Sequence, residues 1–192
     1  MNTKDNLGIH VLRLKELDFN RPLDPLQSTE FTYTRFLVPY LCGYQGIALF
    51  MDSDMLCLGD MAELFSYDME PYALRVVKHG NQPKTTLKMD GKIQTIYPRK
   101  NWSSLMLMDC AKLTCWTKEA VETREAKWLH RFEPIPDELI DELPIIWNSL
   151  DYYDSSTKII HYTEGGPWLQ NYKDHPYGDL WFKYLSTLTS SS

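Results

Sequence analysis

The stretch Gly46-Ile47-Ala48-Leu49-Phe50-Met51-Asp52-Ser53-Asp54-Met55-Leu56 constrains the fold more than any other part of this chain. An apolar run after a glycine predicts a buried strand, and the run ends in two carboxylates one residue apart. Alternate residues of an extended chain point the same way, so Asp52 and Asp54 can converge on one target. Converging negative charges call for a counter-charge, and a divalent cation is the usual one. The competing reading is an acidic turn after a strand, where Asp and Ser are common.

The chain has 192 residues, 43% of them hydrophobic and 13% aromatic, which suits one folded domain with a real core. A net charge of -6 argues against nucleic acid as a general partner. No apolar run approaches the roughly 18 residues of a transmembrane segment. The polar start, Met1 to Asn6, lacks a signal-peptide core. Cys42, Cys57, Cys110 and Cys115 have neither zinc-type nor redox-pair spacing. Together these features predict a cytoplasmic protein with reduced thiols.

Along the chain, Ile9 to Leu14 alternates as a strand does, and Thr29 to Leu41 reads as a helix with Ser28 as its cap and Pro39 disturbing its end. Ile47 to Met51 follows as a second strand, and the strand-helix-strand order predicts that the two strands lie parallel. A short helix is expected from Gly59 through Leu64, and a strand from Tyr72 to Lys78. The turn at Asp90-Gly91 predicts a small antiparallel ribbon pairing Thr85 to Met89 with Lys92 to Ile96. Leu105 to Asp109 reads as a strand buried on both faces. Helices are expected over Thr117 to Trp128, Asp137 to Glu142 and Tyr177 to Leu188, with a strand from Lys158 running into His161. The whole predicts an α/β domain with a mostly parallel central sheet flanked by helices. Asp52, Asp109 and His161 then fall at the carboxyl ends of strands, where such sheets bind ligands.

His161 is followed by Tyr162-Thr163-Glu164-Gly165-Gly166-Pro167-Trp168. Glycines let backbone N–H groups approach a phosphate closely, so Gly165 and Gly166 are candidates for holding a diphosphate. With Asp52, Asp54 and His161 as metal ligands, the set could hold a metal-bound diphosphate. An imidazole among oxygen ligands favours Mn²⁺ over Mg²⁺.

The run Ser28-Thr29-Glu30-Phe31-Thr32-Tyr33-Thr34-Arg35-Phe36-Leu37-Val38-Pro39-Tyr40 leads into Ala48 to Asp54. With Gly59-Asp60-Met61-Ala62-Glu63-Leu64 and His161 to Trp168, it resembles family 8 glycosyltransferases and their bacterial relatives. The resemblance covers about Ile9 to Trp168. It implies a GT-A-like domain moving a sugar from a nucleotide-diphosphate sugar, a UDP-sugar, to a glycan, lipid or protein acceptor with retention of configuration. By the same resemblance Asp54 would bind the metal directly and Asp52 would bridge metal and ribose. Ser53 lies between them in the nucleotide-binding motif. His161 would be the third protein ligand, and Arg35 would order the acidic motif or touch the nucleotide.

The chain departs from the family pattern in three places. Gly166 stands where the family has a lysine before its Pro-Trp, leaving Lys84, Lys88, Lys92, Arg99 or Arg35 as substitutes. The usual Asn-Ser-Gly pattern appears as Asn101-Trp102-Ser103-Ser104. The resemblance also implies that the first nucleotide-binding strand and helix are not included, which leaves a non-catalytic remnant or fragment as an alternative. An acid-x-acid pair after an apolar strand also occurs in haloacid-dehalogenase-type phosphatases, where Leu56 would be out of place. Trp102, Trp147 and Trp168 are candidate sugar platforms, and Asp109, Glu133 and Asn148 candidate acceptor contacts; each has an ordinary structural reading beside it.

Overall fold

The computed structural model describes residues 7–22, 32–80 and 99–189. In chain order the elements are α1 (Val38–Leu41), β1 (Ile47–Met51), β2 (Met55–Cys57), β3 (Leu74–Val76), β4 (Leu105–Asp109), α2 (Lys118–Thr123), α3 (Ala126–His130), β5 (Ile140–Glu142), β6 (Ser149–Leu150), β7 (Ile159–His161) and α4 (Gly178–Thr189), with short 3₁₀ turns between them. They form two compact units. One gathers the described residues within Met1–Met51, Met61–Asn81 and Tyr97–Leu143; the other gathers those within Asp52–Asp60 and Pro144–Ser192.

The first unit is built on a sheet of order β1-β4-β3-β5. Its middle strand β4 buries Leu105, Met106, Leu107 and Met108 completely, as the unbroken apolar run predicts. Its direction differs from expectation. β4 runs antiparallel to both β1 and β3, and only β3 and β5 pair in parallel. Counting the second unit, three of the five strand pairings among the described residues are antiparallel, so the sheets are mixed rather than mostly parallel. The apolar run reports burial on both faces, which β4 attains with antiparallel neighbours; it carries no information about direction.

Other expectations shift as well. The Ile9–Leu14 segment is not a strand: Ile9 is 93% exposed, a 3₁₀ turn occupies Leu14–Glu16, and only Leu12 of the segment packs on the core. With no described strand beside it, its alternation has no ladder to join. Of the helix expected over 29–41, residues 29–31 lie outside the described residues. The rest is a 3₁₀ turn, Thr34–Leu37, followed by α1. Pro39 lies in the first turn of α1, where its missing N–H has no helical partner to lose. The expected helix over Thr117–Trp128 is two short ones. Thr117 caps α2 by accepting from the Ala120 N–H at 3.0 Å, and extended backbone at Arg124 and Glu125 breaks the run before α3. The Asp137–Glu142 segment begins as a 3₁₀ turn and ends as β5. The expected ribbon over 85–96 lies outside the described residues.

Aromatic rings fill the core of this unit. Phe36, fully buried, meets Trp116 edge-on at 5.0 Å, His130 at 5.1 Å and Phe132 at 6.4 Å. Arg35 beside it is buried too. It donates to the Thr32 carbonyl at 2.9 Å and the Ser103 carbonyl at 2.8 Å, and its guanidinium lies 5.1 Å from the Phe50 ring on β1.

The second unit carries a sheet of order β2-β7-β6, with Met55, Trp147, Ile159, Ile160 and Tyr162 buried around it. On α4, Trp181 packs inward against Tyr162 at 5.6 Å and Trp168 at 4.2 Å. Farther along the same helix, Tyr184, Leu185 and Leu188 are exposed. Among the described residues, no helix is long and apolar enough to cross a membrane.

Removing the Phe36 ring leaves a cavity that three aromatic neighbours cannot collapse into. Phe36→Ala is expected to cost roughly 3–5 kcal/mol of unfolding free energy, read from the shift of the urea midpoint. A loss below about 1 kcal/mol would show that the ring is not a core anchor.

Candidate metal centre

β1 ends at Met51, and the acid-x-acid motif follows as a turn rather than as an extended continuation: Ser53 and Asp54 are turn residues and β2 starts at Met55. The two carboxylates still come together, with the side chain of His161 between elements that fix it from both sides. β2 and β7 pair antiparallel with Met55 opposite His161, and the Tyr162 N–H extends the ladder by donating to the Asp54 carbonyl at 3.0 Å. This ladder brings Asp54 and His161 side by side across more than a hundred residues of sequence.

The result is a compact donor set. One atom each from Asp52, Asp54 and His161 lies within 4.8 Å of the others, and His161 Nε2 stands 3.1 Å from Asp54 Oδ1. The imidazole is nearly enclosed, its side chain 5% exposed, while the Asp54 side chain is 33% exposed. That arrangement leaves one side open for a ligand. Two carboxylates and an imidazole suit a divalent cation of the oxygen-and-nitrogen-binding class. Neighbouring donors on an octahedral ion with bonds near 2.1 Å lie about 3.0 Å apart, close to the observed separation, so these residues fit such an ion.

On its other flank β7 pairs in parallel with β6, Leu150 opposite His161, and the Asp151 N–H donates to the His161 carbonyl at 2.9 Å. His161 Nδ1 lies 3.0 Å from Oδ1 of Asn148, whose side chain is fully buried. Asp151 also clasps the segment after the histidine, accepting from the Thr163 hydroxyl and from the Glu164 N–H at 3.3 Å. Sequence reading placed Asn148 among acceptor contacts. Its place beside the imidazole depends on the β6–β7 pairing, which sequence does not display.

Aromatic rings pack closely on the glycines after His161. A side chain at Gly165 would meet the Tyr172 ring at 2.8 Å, and one at Gly166 would overlap the Trp168 ring at 1.9 Å. Gly165 also needs its φ of +140°, and its N–H donates to the Tyr162 carbonyl at 3.3 Å. At both positions an aromatic ring lies where a side chain would stand.

Several other candidates lie elsewhere. In the β1–β4 register Asp109 faces Ile47 while Leu105 faces Met51. Asp109 is thus at the opposite end of the sheet from the end where β1 runs into the acidic motif, a consequence of the antiparallel pairing. Its carboxylate accepts from the Ala111 N–H and lies 3.4 Å from Lys112 Nζ. Arg99 donates to the Arg131 carbonyl and pairs with Asp137. Lys84, Lys88 and Lys92 lie outside the described residues. Trp147 is 1% exposed with Lys158 Nζ 4.8 Å from its ring, and Trp102 donates to the His79 carbonyl at 3.3 Å.

Residues 6–151 match the family model described as glycosyl transferase family 8. The chain belongs to glycosyl transferase family 8. Within that match lie Arg35 and the acidic motif; His161 follows it, brought to the motif by the β2–β7 ladder. The chain is 43% identical over 184 residues to Protein CDI of Arabidopsis thaliana, covering 91% of this chain and 71% of that protein. Among solved structures it is similar to the bifunctional glycosyltransferase WbbM (16% identity, TM-score 0.51, 83% of this chain). It is also similar to the galactosyltransferase LgtC in complex with donor and acceptor sugar analogues (13% identity, TM-score 0.50, 79% of this chain). These likenesses show a mixed α/β, GT-A-type fold. The chain spans 38% of the WbbM chain and 65% of the LgtC chain.

Behind the donor set, the Tyr162 hydroxyl donates to the Tyr177 carbonyl at 2.9 Å. Burial, aided by the charge of Asp151, pushes this phenol from about 10.0 up to about 12. A pKa raised on folding gives stability that is complete below pH 10 and lost as pH rises through about 12. Ultraviolet titration is expected to show a late-ionising tyrosine that is lost in Tyr162→Phe. Identical titration curves for the two proteins would contradict this.

Proposed function

We propose that this protein is a metal-dependent glycosyltransferase that moves a sugar from a nucleotide-diphosphate sugar, a UDP-sugar, to an acceptor, with retention of the anomeric configuration. The observation that carries the reading is the convergence of Asp52, Asp54 and His161 within 4.8 Å. Family membership supports the chemistry, and the resemblance of the acid-x-acid motif to that of nucleotide-sugar enzymes supports the donor class. In this reading His161 and Asp54 would hold the ion, and Asp52, with Ser53 beside it, would serve both the ion and the donor's ribose. A divalent cation supplies Lewis-acid stabilisation of the diphosphate leaving group. The imidazole in the donor set favours Mn²⁺ over Mg²⁺.

The chain's own residues prepare the site. The ladder between β2 and β7 holds Asp54 and His161 in place before any ligand arrives, which lowers the ordering cost of binding. Arg35 contributes from within the first unit: its two carbonyl bonds fix the guanidinium beside Phe50 on β1, the strand that runs directly into Asp52. Its role in this reading is to order the strand ahead of the acidic motif.

Titration calorimetry with Mn²⁺, followed by UDP-sugars in its presence, tests the proposal. UDP-sugar binding is expected to require the ion. In Asp54→Asn, Mn²⁺ affinity is expected to fall by more than the roughly 10–100-fold typical of a lost outer-shell partner. Metal-independent donor binding that survives Asp54→Asn would sink the reading, as would a covalent phosphoryl group trapped on Asp52.

A further inference from the structure

His161 has two ring nitrogens with different neighbours: Nδ1 faces Asn148 Oδ1 at 3.0 Å and Nε2 faces Asp54 Oδ1 at 3.1 Å. An amide oxygen only accepts hydrogen bonds, so this contact assigns the ring proton to Nδ1. In that tautomer the ring turns its Nε2 lone pair toward the two carboxylates. Two electron-pair donors 3.1 Å apart repel unless a proton or a metal cation lies between them. We infer that Asn148 is the positioning residue of the metal centre: it holds His161 in the Nδ1–H tautomer, ready to ligate through Nε2.

The surroundings make Asn148 a rigid support. Its side chain is fully buried, its N–H donates to the Ile145 carbonyl at 3.0 Å, and the next residue, Ser149, begins β6 opposite Ile160 of β7. The parallel pairing of β6 with β7 therefore fixes the distance between the amide and the ring. A metal-ligating histidine whose second nitrogen is held in this way keeps both its tautomer and its ring orientation, and loss of the partner typically weakens metal binding 10–100-fold.

The inference rests on the metal reading of this site, and its test separates the two. The full chain is labelled with ¹⁵N-histidine, and its long-range ¹H–¹⁵N spectrum is recorded without metal at about pH 8, above the usual imidazole pKa. Signals of His161 are assigned by their loss in His161→Gln. The expected pattern is a protonated Nδ1 and an unprotonated Nε2. A proton on Nε2, donated to Asp54 instead, overturns the inference. In Asn148→Leu, Mn²⁺ affinity is expected to drop roughly 10–100-fold. Asn148→Asp keeps an acceptor oxygen and is expected to restore affinity to within a few-fold of the parent. Unchanged affinity in an Asn148→Leu protein with parent-like circular dichroism overturns the inference. Failure of the parent chain to bind Mn²⁺ sinks the metal reading and Asn148's part in it, whereas Mn²⁺ binding by the parent with the metal-free proton on Nε2 overturns the inference and leaves the metal reading standing.

Discussion

The second unit depends on one short antiparallel ladder. β2 and β7 share three residue pairs, and the Tyr162 N–H adds a further bond to the Asp54 carbonyl. Backbone hydrogen bonds are modest in net free energy, about 1 kcal/mol each, yet here they set register. A slip of one residue would turn His161 to the opposite face of the sheet and leave Asp52 and Asp54 as an acidic turn. The backbone of the acidic motif is a turn, and its two carboxylates converge with His161. The ladder is what sets that turn beside the imidazole.

The two units handle charge differently. In the first, Arg35 is buried against carbonyls and a ring face, and Arg75 pairs with Asp141 on the adjacent strand, so cations are matched locally. In the second, two carboxylates and an imidazole are brought together by the backbone, which concentrates electron-pair donors at one point. Folding spends its precision on placing these groups where water alone would let them separate.

Much of this was legible in the sequence, for identifiable reasons. Unbroken apolar runs located β1 and β4, and an apolar pair ahead of a histidine located β7. Acidic residues after the first and the histidine after the last marked the site. Strand direction was not legible, because burial on both faces imposes the same composition on parallel and antiparallel strands. That single ambiguity also misplaced Asp109, which the antiparallel register carries to the far end of its sheet. Ile9 to Leu14 alternates without a strand beside it among the described residues, and alternation alone makes no strand. Gly165 and Gly166 were visible as positions requiring closeness, but sequence does not say that Tyr172 and Trp168 are what comes close. Asn148 was hidden most completely, since its contact with His161 exists only once β6 lies beside β7.

At the end of β7, His161 and the residue that follows it have opposite neighbours. His161 looks toward the carboxylates, whereas Tyr162 meets Trp168, His175 and Trp181 in an aromatic pack. The strand therefore works like a panel with chemistry on its front and ballast on its back. Side chains on the front can vary to change what is bound without disturbing the ballast. Loosening the back, even at a residue as far along the chain as Trp181, would blur the aim of a histidine that it never touches.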